Sequence, residues 1–286
     1  MSLPLNSNDY GMGLGGLSRM AEGRSFWPNF FSGIVARRQW NPMAIDLAPD
    51  ARAWPGLPDE RRRRLTTLLA GFRVAEDAVS EELTPFADVM GQDRSMWSDE
   101  TLLAWVLFLQ RRDEDRHTQF FDRVAEEVLR LPGATPEERR AAAREHVPPA
   151  VLELFEVRLP ALAAELAAGR AELSEGIGLY HMVLEGIVFD AGQHALLDDL
   201  QDGALPGLRE GVERVELDER WHIGFGLRCL IEARPSPELL EDVLAQAEEA
   251  ASAWGDAVPA ATRERTAHKA ARRLSVVHLI HEHVAA

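Results

Sequence analysis

Two short segments of this sequence place a glutamate three residues before a histidine, and in each the glutamate follows an aspartate. The residues are Asp113, Glu114 and His117 in the first segment, and Asp218, Glu219 and His222 in the second. Residues three apart on a helix lie on one face about one turn apart, so this carboxylate and imidazole can bind the same metal ion. The spacing predicts two metal-binding helices, with each aspartate orienting a ligand histidine through its distal ring nitrogen.

A glutamate in an apolar stretch precedes each of these segments. Glu76 lies in the sequence FRVAEDAV, and Glu185 lies in MVLEGIVF, where an uncompensated charge is expensive to bury. Glu76 precedes Glu114 by 38 residues, and Glu185 precedes Glu219 by 34. A helix with a glutamate, followed by a helix with Glu-x-x-His, therefore occurs twice. This repeat is typical of a dimetal site inside a four-helix bundle.

The charge and the donor atoms of this set fit two transition metals. The predicted ligands are Glu76, Glu114, His117, Glu185, Glu219 and His222. Four carboxylates balance the charge of two divalent cations, so the assembled site can be buried. Oxygen-rich ligation with one imidazole per metal suits iron and manganese better than zinc or copper. The alternative interpretation, exposed pairs along helix faces, conflicts with the apolar neighbours of Glu185.

The elements that must position these residues are helices. From Pro58 onward Ala, Leu, Glu and Arg dominate, and capping and stop signals divide the chain into about eight helices, four of them long. We expect Pro85 to kink or end the first helix, and Ser98 to Glu100 to cap the second. The predicted fold is all-α, a ferritin-like four-helix core with about four additional helices.

Residues 1–58 have a different composition from the rest of the chain. Gly, Asn and Pro are frequent, and aromatic residues are scattered without a period. We predict an irregular N-terminal arm over 1–58 that packs through its aromatics on a helical dimetal domain over 59–286. A partly disordered tail is the alternative.

Composition restricts the classes of partner and compartment. The formal net charge is −16, which disfavours nucleic acid and anionic lipid. We expect no membrane span, because no run of some 18 apolar residues occurs. The N-terminus lacks the pattern of a secretory signal, and the single cysteine, Cys229, allows no internal disulfide. These features predict a cytoplasmic protein.

Two further segments carry a resemblance to a known family. The first runs from Glu76 to Glu81 and continues through Phe86, and the second runs from Tyr180 to Gly186. Together with the Glu-x-x-His segments, they resemble the ligand-binding oxidases related to the ribonucleotide reductase small subunit. The resemblance covers roughly residues 50–234. The resemblance implies the six metal ligands above, a Mn/Fe cofactor (Fe/Fe as alternative) and activation of dioxygen. It also implies a long-chain fatty acid or similar apolar ligand at the metals and an ether bond between Tyr180 and Val79. We further expect a homodimer.

The spacing of the two ether partners makes a structural demand. Val79 follows Glu76 by three residues and shares its helix face. Tyr180 precedes Glu185 by five residues, which on a straight α-helix turns it about 140° away from the ligand face. A local π-type distortion would be needed to bring the phenol to the metals. An apolar cavity lined from the helices of Val79 and Tyr180 is predicted beside the metals.

Three other functions remain as alternatives. A reductase small subunit usually has a tyrosine four residues after the first ligand histidine and another in its tail. Here Phe121 occupies the first position, and the only tyrosines are Tyr10 and Tyr180. A ferritin cage subunit is usually shorter than this chain. A dimetal oxygenase acting on another substrate also fits the ligand pattern.

Overall fold

The computed structural model describes residues 26–92 and 100–285, and the side chains of 30–89 and 106–281. These residues form ten helices and no β-strand. The first two are α1 (Phe26–Arg37) and α2 (Ala48–Ala53). The next four are α3 (Asp59–Gln92), α4 (Glu100–Arg123, running on into a π turn at Val124–Val128), α5 (Pro136–Arg144) and α6 (Pro149–Leu152, Glu153–Arg158 and Leu159–Ala167). The last four are α7 (Leu173–Ile177, Gly178–Phe189 and Asp190–Asp199), α8 (Pro206–Ala233), α9 (Pro237–Ala250) and α10 (Ala260–Ala285).

Four long helices, α3, α4, α7 and α8, form the core of the bundle. Each buries an apolar face that includes Phe72 on α3, Phe120 on α4 and Phe225 on α8, while α7 is buried on all sides from Gly178 to Phe189. Helices α9 and α10 cover α7. The predicted all-α class and the eight helices from residue 59 onward are confirmed.

Pro85 does not end the first long helix. Helix α3 continues through Pro85 to Gln92, so of the two expected effects, a kink or an end, the end does not occur. A proline removes one backbone donor, and here the flanking side chains Leu83 and Phe86 are buried, so packing compensates for that loss. The predicted cap of the second helix lies partly outside the described residues, because these resume at Glu100.

The described part of the N-terminal region is helical rather than irregular. Helices α1 and α2 lie within 26–58, so the prediction of an irregular segment is wrong there. Gly and Pro, which are frequent in this region, have low helix propensity, and composition therefore did not indicate the two short helices. The Phe31 ring lies 5.6 Å from the ring of Phe225 and 6.1 Å from that of Trp221 on α8. The remainder of the predicted arm, residues 1–25, lies outside the described range.

A buried aspartate of this region caps helix α8, which carries two predicted metal ligands. Helix α8 begins after Leu205 without a capping side chain of its own. The Asp50 carboxylate instead accepts hydrogen bonds from the backbone amides of Gly207, at 2.9 Å, and Leu208, at 2.8 Å. A Cβ at Gly207 would lie 2.3 Å from the carbonyl oxygen of Asp46, so only glycine permits this approach. The N-terminal segment therefore helps to position α8.

We expect Asp50→Ala to lower the free energy of unfolding by about 2–3 kcal/mol, because two buried amides lose a charged acceptor. Urea denaturation measures the change. Asp46→Ala is the matched control, since Asp46 is exposed and accepts one amide hydrogen bond, from Ala48. Loss of this hydrogen bond should lower the free energy of unfolding by about 1 kcal/mol or less. Equal effects of the two substitutions would contradict the role of Asp50 as the cap of α8.

None of the helices in the described ranges combines the length and the apolar character needed to cross a membrane.

Candidate metal centre

The long helix α7 changes from α-helical to π-helical geometry where it passes the centre of the bundle. The π segment runs from Gly178 to Phe189 and contains both Tyr180 and Glu185. Because a π-helix closes its hydrogen bonds between residues i and i+5, these two side chains lie one turn apart on the same side. The π-type distortion that Tyr180 needs in order to approach the predicted ligands is therefore present.

Two side chains from the C-terminal part of the chain bind carbonyl groups of this π segment. Arg273 Nη1 donates to the carbonyl of Gly186 at 3.0 Å, and Trp254 Nε1 donates to the carbonyl of Val188 at 2.7 Å. A Cβ at Gly186 would lie 3.2 Å from Arg273 Nη1, so glycine allows the guanidinium to come this close. Residues around and on α10 thus hold the segment that carries Glu185.

The first group of predicted ligands surrounds His117. Its Nδ1 atom lies 3.1 Å from Glu114 Oε2, 3.4 Å from Glu76 Oε2 and 3.4 Å from Glu219 Oε1. One ligand atom from each of these four residues lies within 4.8 Å of the others. Helices α3, α4 and α8 each contribute to this group.

The second group surrounds His222. Its Nδ1 atom lies 3.2 Å from Glu114 Oε1, 3.3 Å from Glu219 Oε2 and 3.4 Å from Glu185 Oε1. Glu114 and Glu219 therefore present one carboxylate oxygen to each histidine, as two bridging carboxylates do. Glu76 and Glu185 each face one histidine, as terminal ligands do. The structure brings together all six predicted ligands.

The side chains of this cluster fit a pair of metal ions. All six are at most 2% exposed. The following atoms have no hydrogen-bond partner among the described residues: both carboxylate oxygens of Glu76 and of Glu219, Oε2 of Glu185, and both ring nitrogens of His222. Buried polar atoms without partners are costly. Metal ions would satisfy them, with the oxygen-rich, imidazole-containing donor set that iron and manganese accept.

Without metal ions, protonation has to balance the charge of the cluster. Burial raises the pKa of Glu76 and of Glu185 above the ordinary range. Burial by itself would raise the pKa of Glu114, but the His222 and His117 imidazoles outweigh it and hold this pKa below its ordinary value. Burial by itself would lower the pKa of both histidines, but the surrounding carboxylates raise it well above the ordinary value. Metal ions would replace these protons.

An aspartate lies next to the distal ring nitrogen of each histidine. Each aspartate belongs to the other Asp-Glu-x-x-His segment, not to the segment of the histidine it faces. Asp218, from the second segment, lies behind His117 of the first, with Oδ2 3.4 Å from Nε2. The same oxygen accepts a hydrogen bond from Trp40 Nε1 at 2.8 Å. The indole of Trp40 stacks on His117, with ring centres 6.2 Å apart.

The other aspartate, Asp113, lies behind His222. Its Oδ2 atom is 3.6 Å from His222 Nε2 and accepts a hydrogen bond from Trp221 Nε1 at 3.0 Å. Its Oδ1 atom forms an ion pair with Arg116. The structure therefore assigns each aspartate to the histidine of the opposite segment, an exchange that the sequence alone did not indicate.

Gln110 is a site residue that the sequence analysis missed. Its Nε2 atom donates to Glu185 Oε1 at 2.8 Å and lies 3.5 Å from both Glu114 Oε1 and the Tyr180 hydroxyl. Its Oε1 atom accepts a hydrogen bond from His181 Nε2 at 3.2 Å. Burial lowers the pKa of His181 to about 3, so this imidazole is neutral and fixes the orientation of the amide. Gln110 precedes Glu114 by four residues, and this helical spacing is the signal that could have identified it.

The two predicted ether partners are both fully buried. The Tyr180 hydroxyl donates to Glu114 Oε1 at 3.2 Å. Burial, reinforced by the surrounding carboxylates, raises the pKa of Tyr180 well above the ordinary value, so the phenol keeps its proton. Val79 lies three residues after Glu76 on α3. The covalent link between Tyr180 and Val79 stays a prediction.

Comparison with known proteins establishes the fold. No family model matches the chain. The solved structure of an R2-like ligand-binding oxidase from Sulfolobus acidocaldarius is 20% identical, covers 90% of this chain and 92% of its own, and has a TM-score of 0.72. A tyrosine-to-phenylalanine variant of an R2-like ligand-binding oxidase with an aerobically reconstituted Mn/Fe cofactor is 18% identical, with coverages of 92% and 97% and a TM-score of 0.70. At this identity the likeness shows a common fold, and the predicted ferritin-like core is confirmed.

Proposed function

We propose that this protein is a dimetal-carboxylate oxidase that activates dioxygen at a Mn/Fe site, with Fe/Fe as the alternative. The observation that carries the proposal is the convergence of six buried ligands into two adjoining groups that share Glu114. The solved structures with the same fold support it, because they are R2-like ligand-binding oxidases with a Mn/Fe cofactor.

In this proposal, Glu114 and Glu219, which each face both histidines, would hold the two metals together with Glu76 and Glu185, which each face one. The bound metal pair would supply electrons for the reduction of dioxygen and the oxidising power to remove hydrogen from a C–H bond. Gln110 holds Oε1 of Glu185 by a hydrogen bond at 2.8 Å, which orients that carboxylate. The Tyr180 hydroxyl holds its proton at Oε1 of Glu114.

Two alternatives compare differently with this chain. A reductase small subunit usually has a tyrosine near the metals at the position that Phe121 occupies. Phe121 is buried and stacks on Phe72, with ring centres 5.1 Å apart. A dimetal oxygenase acting on another substrate shares the same ligand set and differs in the molecule beside the metals. We also propose that the protein is a cytoplasmic homodimer; its single cysteine, Cys229, fits a reducing compartment.

The first test is metal content and oxygen consumption. Wild-type protein loaded anaerobically with Mn(II) and Fe(II) should hold two metal ions per chain and consume oxygen when air is admitted. Glu114→Ala and His222→Ala should each lower the affinity of the site at least about 100-fold, because a ligand is lost outright. Elemental analysis and an oxygen electrode measure the two properties.

Exposed residues supply matched controls for these substitutions. Glu210→Ala removes an exposed glutamate of α8, and His268→Ala removes an exposed histidine of α10. Both should leave the metal content at the wild-type value. Unchanged metal in Glu114→Ala and His222→Ala would refute the site. Two bound metals with no oxygen uptake would refute the oxidase activity and leave the site standing.

We propose further that a long-chain fatty acid or a similar apolar ligand binds beside the metals. The π segment of α7 supports this, because it is apolar around Glu185 and fully buried. The related structures are also named as ligand-binding oxidases. Mass spectrometry of lipid extracted from denatured protein should detect a fatty acid in amounts comparable with the protein. A lipid-free extract from fresh protein would count against the ligand.

The last part of the proposal is an oxygen-dependent ether bond between the Tyr180 phenol oxygen and Val79 Cβ. Its formation removes the phenol hydrogen and the valine Cβ hydrogen, and these two electrons and two protons would reduce dioxygen, which a bound metal pair would activate. Trypsin should leave Val79 in the peptide 74–94 and Tyr180 in the peptide 171–209. After metal loading in air, mass spectrometry should detect the two peptides joined with the loss of two hydrogens.

Two controls isolate this chemistry. Protein loaded without oxygen and the Tyr180→Phe variant should each yield only the separate peptides. Separate peptides from fully metallated wild-type protein in air would refute the ether bond, while the metal site would remain.

A further inference from the structure

The two aspartates behind the metal cluster do not serve their histidines equally. Asp218 Oδ2 lies 3.4 Å from His117 Nε2 with the alignment of a hydrogen bond. Asp113 Oδ2 lies 3.6 Å from His222 Nε2, and this nitrogen has no hydrogen-bond partner in the described part of the chain. The sequence repeats the Asp-Glu-x-x-His frame, yet the structure breaks its symmetry at this point.

The two aspartates also differ in their distance from Arg116. Its guanidinium forms an ion pair with Asp113 Oδ1, whereas Asp218 Oδ2 lies 3.7 Å away. It also donates to Gln39 Oε1 at 3.1 Å and lies 6.0 Å from the centre of the Trp40 ring. Arg116 is 9% exposed, so solvent screens its charge only weakly.

Donors engage both oxygens of Asp113. Arg116 binds Oδ1, and Trp221 Nε1 donates to Oδ2 at 3.0 Å. For Asp218, the closest donors, Trp40 and His117, both use Oδ2. Another cation near Asp218, Arg38, donates to the carbonyl of Leu217 and acts on Asp218 through longer-range charge.

This inequality matters for the metals in front of the histidines. A carboxylate that accepts a hydrogen bond from the distal nitrogen of a ligand histidine makes that histidine a stronger donor. A cation bound to the carboxylate weakens this effect, because it neutralises the charge. His117 should therefore be a stronger ligand than His222.

We propose that Arg116 makes the two metal positions unequal by holding Asp113 away from His222, so that the position at His117 fills first. Arg116 is thus a positioning residue that acts through Asp113. The inference rests on the proposed dimetal site. It offers a structural origin for a site that holds two different metals.

The experiment locates a limiting amount of metal in the crystal. One molar equivalent of Mn(II) is added to metal-free protein without oxygen, and anomalous diffraction at the manganese edge measures the occupancy of each position. In wild-type protein the position at His117 should hold roughly ten times more manganese than the position at His222. In Arg116→Met this ratio should fall at least about threefold, because Asp113 can then turn toward His222. Arg116→Gln, which is also neutral, should give the same fall.

Two further variants separate this role from a general effect on the fold. Arg112→Met removes an exposed arginine of the same helix and should retain the wild-type ratio. Combining Asp113→Asn with Arg116→Met should restore the preference for the His117 position, since asparagine carries no charge to offer His222. If Arg116→Met acted only by loosening helix α4, adding Asp113→Asn would not restore the preference for the His117 position.

The outcomes distinguish the two proposals. Evenly filled positions in wild-type protein, or an unchanged ratio in both neutral Arg116 variants, would overturn the role of Arg116 and leave the dimetal site intact. Wild-type protein that takes up no manganese would overturn the dimetal site and, with it, the role of Arg116.

Discussion

The concentration of negative charge at the centre of an apolar helix bundle is the constraint to which the rest of the structure responds. Four carboxylates face one another with only two imidazoles between them, and all six side chains are buried. Such a cluster is stable only if cations or protons compensate it. Each of the four core helices supplies part of the cluster, so the compensation of its charge and the packing of the bundle depend on one another.

Helix α7 shows how the chain accommodates this centre. A regular α-helix would place Tyr180 and Glu185 on different sides, and the π segment aligns them. The carbonyls of Gly186 and Val188 in this segment receive hydrogen bonds from Arg273 and Trp254. Helix α10 and the turn that precedes it therefore stabilise the π-helical backbone of α7. The N-terminal region acts similarly on α8 through the cap that Asp50 provides.

The meeting of Glu114 with His117 and of Glu219 with His222 was predictable from the sequence, because the Glu-x-x-His spacing is a local property of one helix. The lone glutamates Glu76 and Glu185 were predictable because charge is unusual in an apolar stretch. Gln110 lies four residues before Glu114, and Arg116 lies three residues after Asp113, so both spacings were visible in the sequence. The contact of Gln110 with Glu185 was not predictable, because it depends on how two helices pack against each other. The short helices α1 and α2 were missed for a related reason: local composition disfavours them, and packing against the bundle compensates.

The crossed aspartates have a consequence for the internal repeat. Each Asp-Glu-x-x-His segment presents a histidine whose distal nitrogen faces the aspartate of the other segment, as Asp218 faces His117. Neither repeat is self-sufficient, because an isolated half would lack the carboxylate behind its own histidine. If the two halves descend from one ancestral helix pair, that ancestor needed a second copy to complete its site. Duplication and fusion would then have placed both copies in one chain, so that each histidine and the aspartate it faces are always present together. The two halves could then diverge, as the ion pair between Arg116 and Asp113 illustrates.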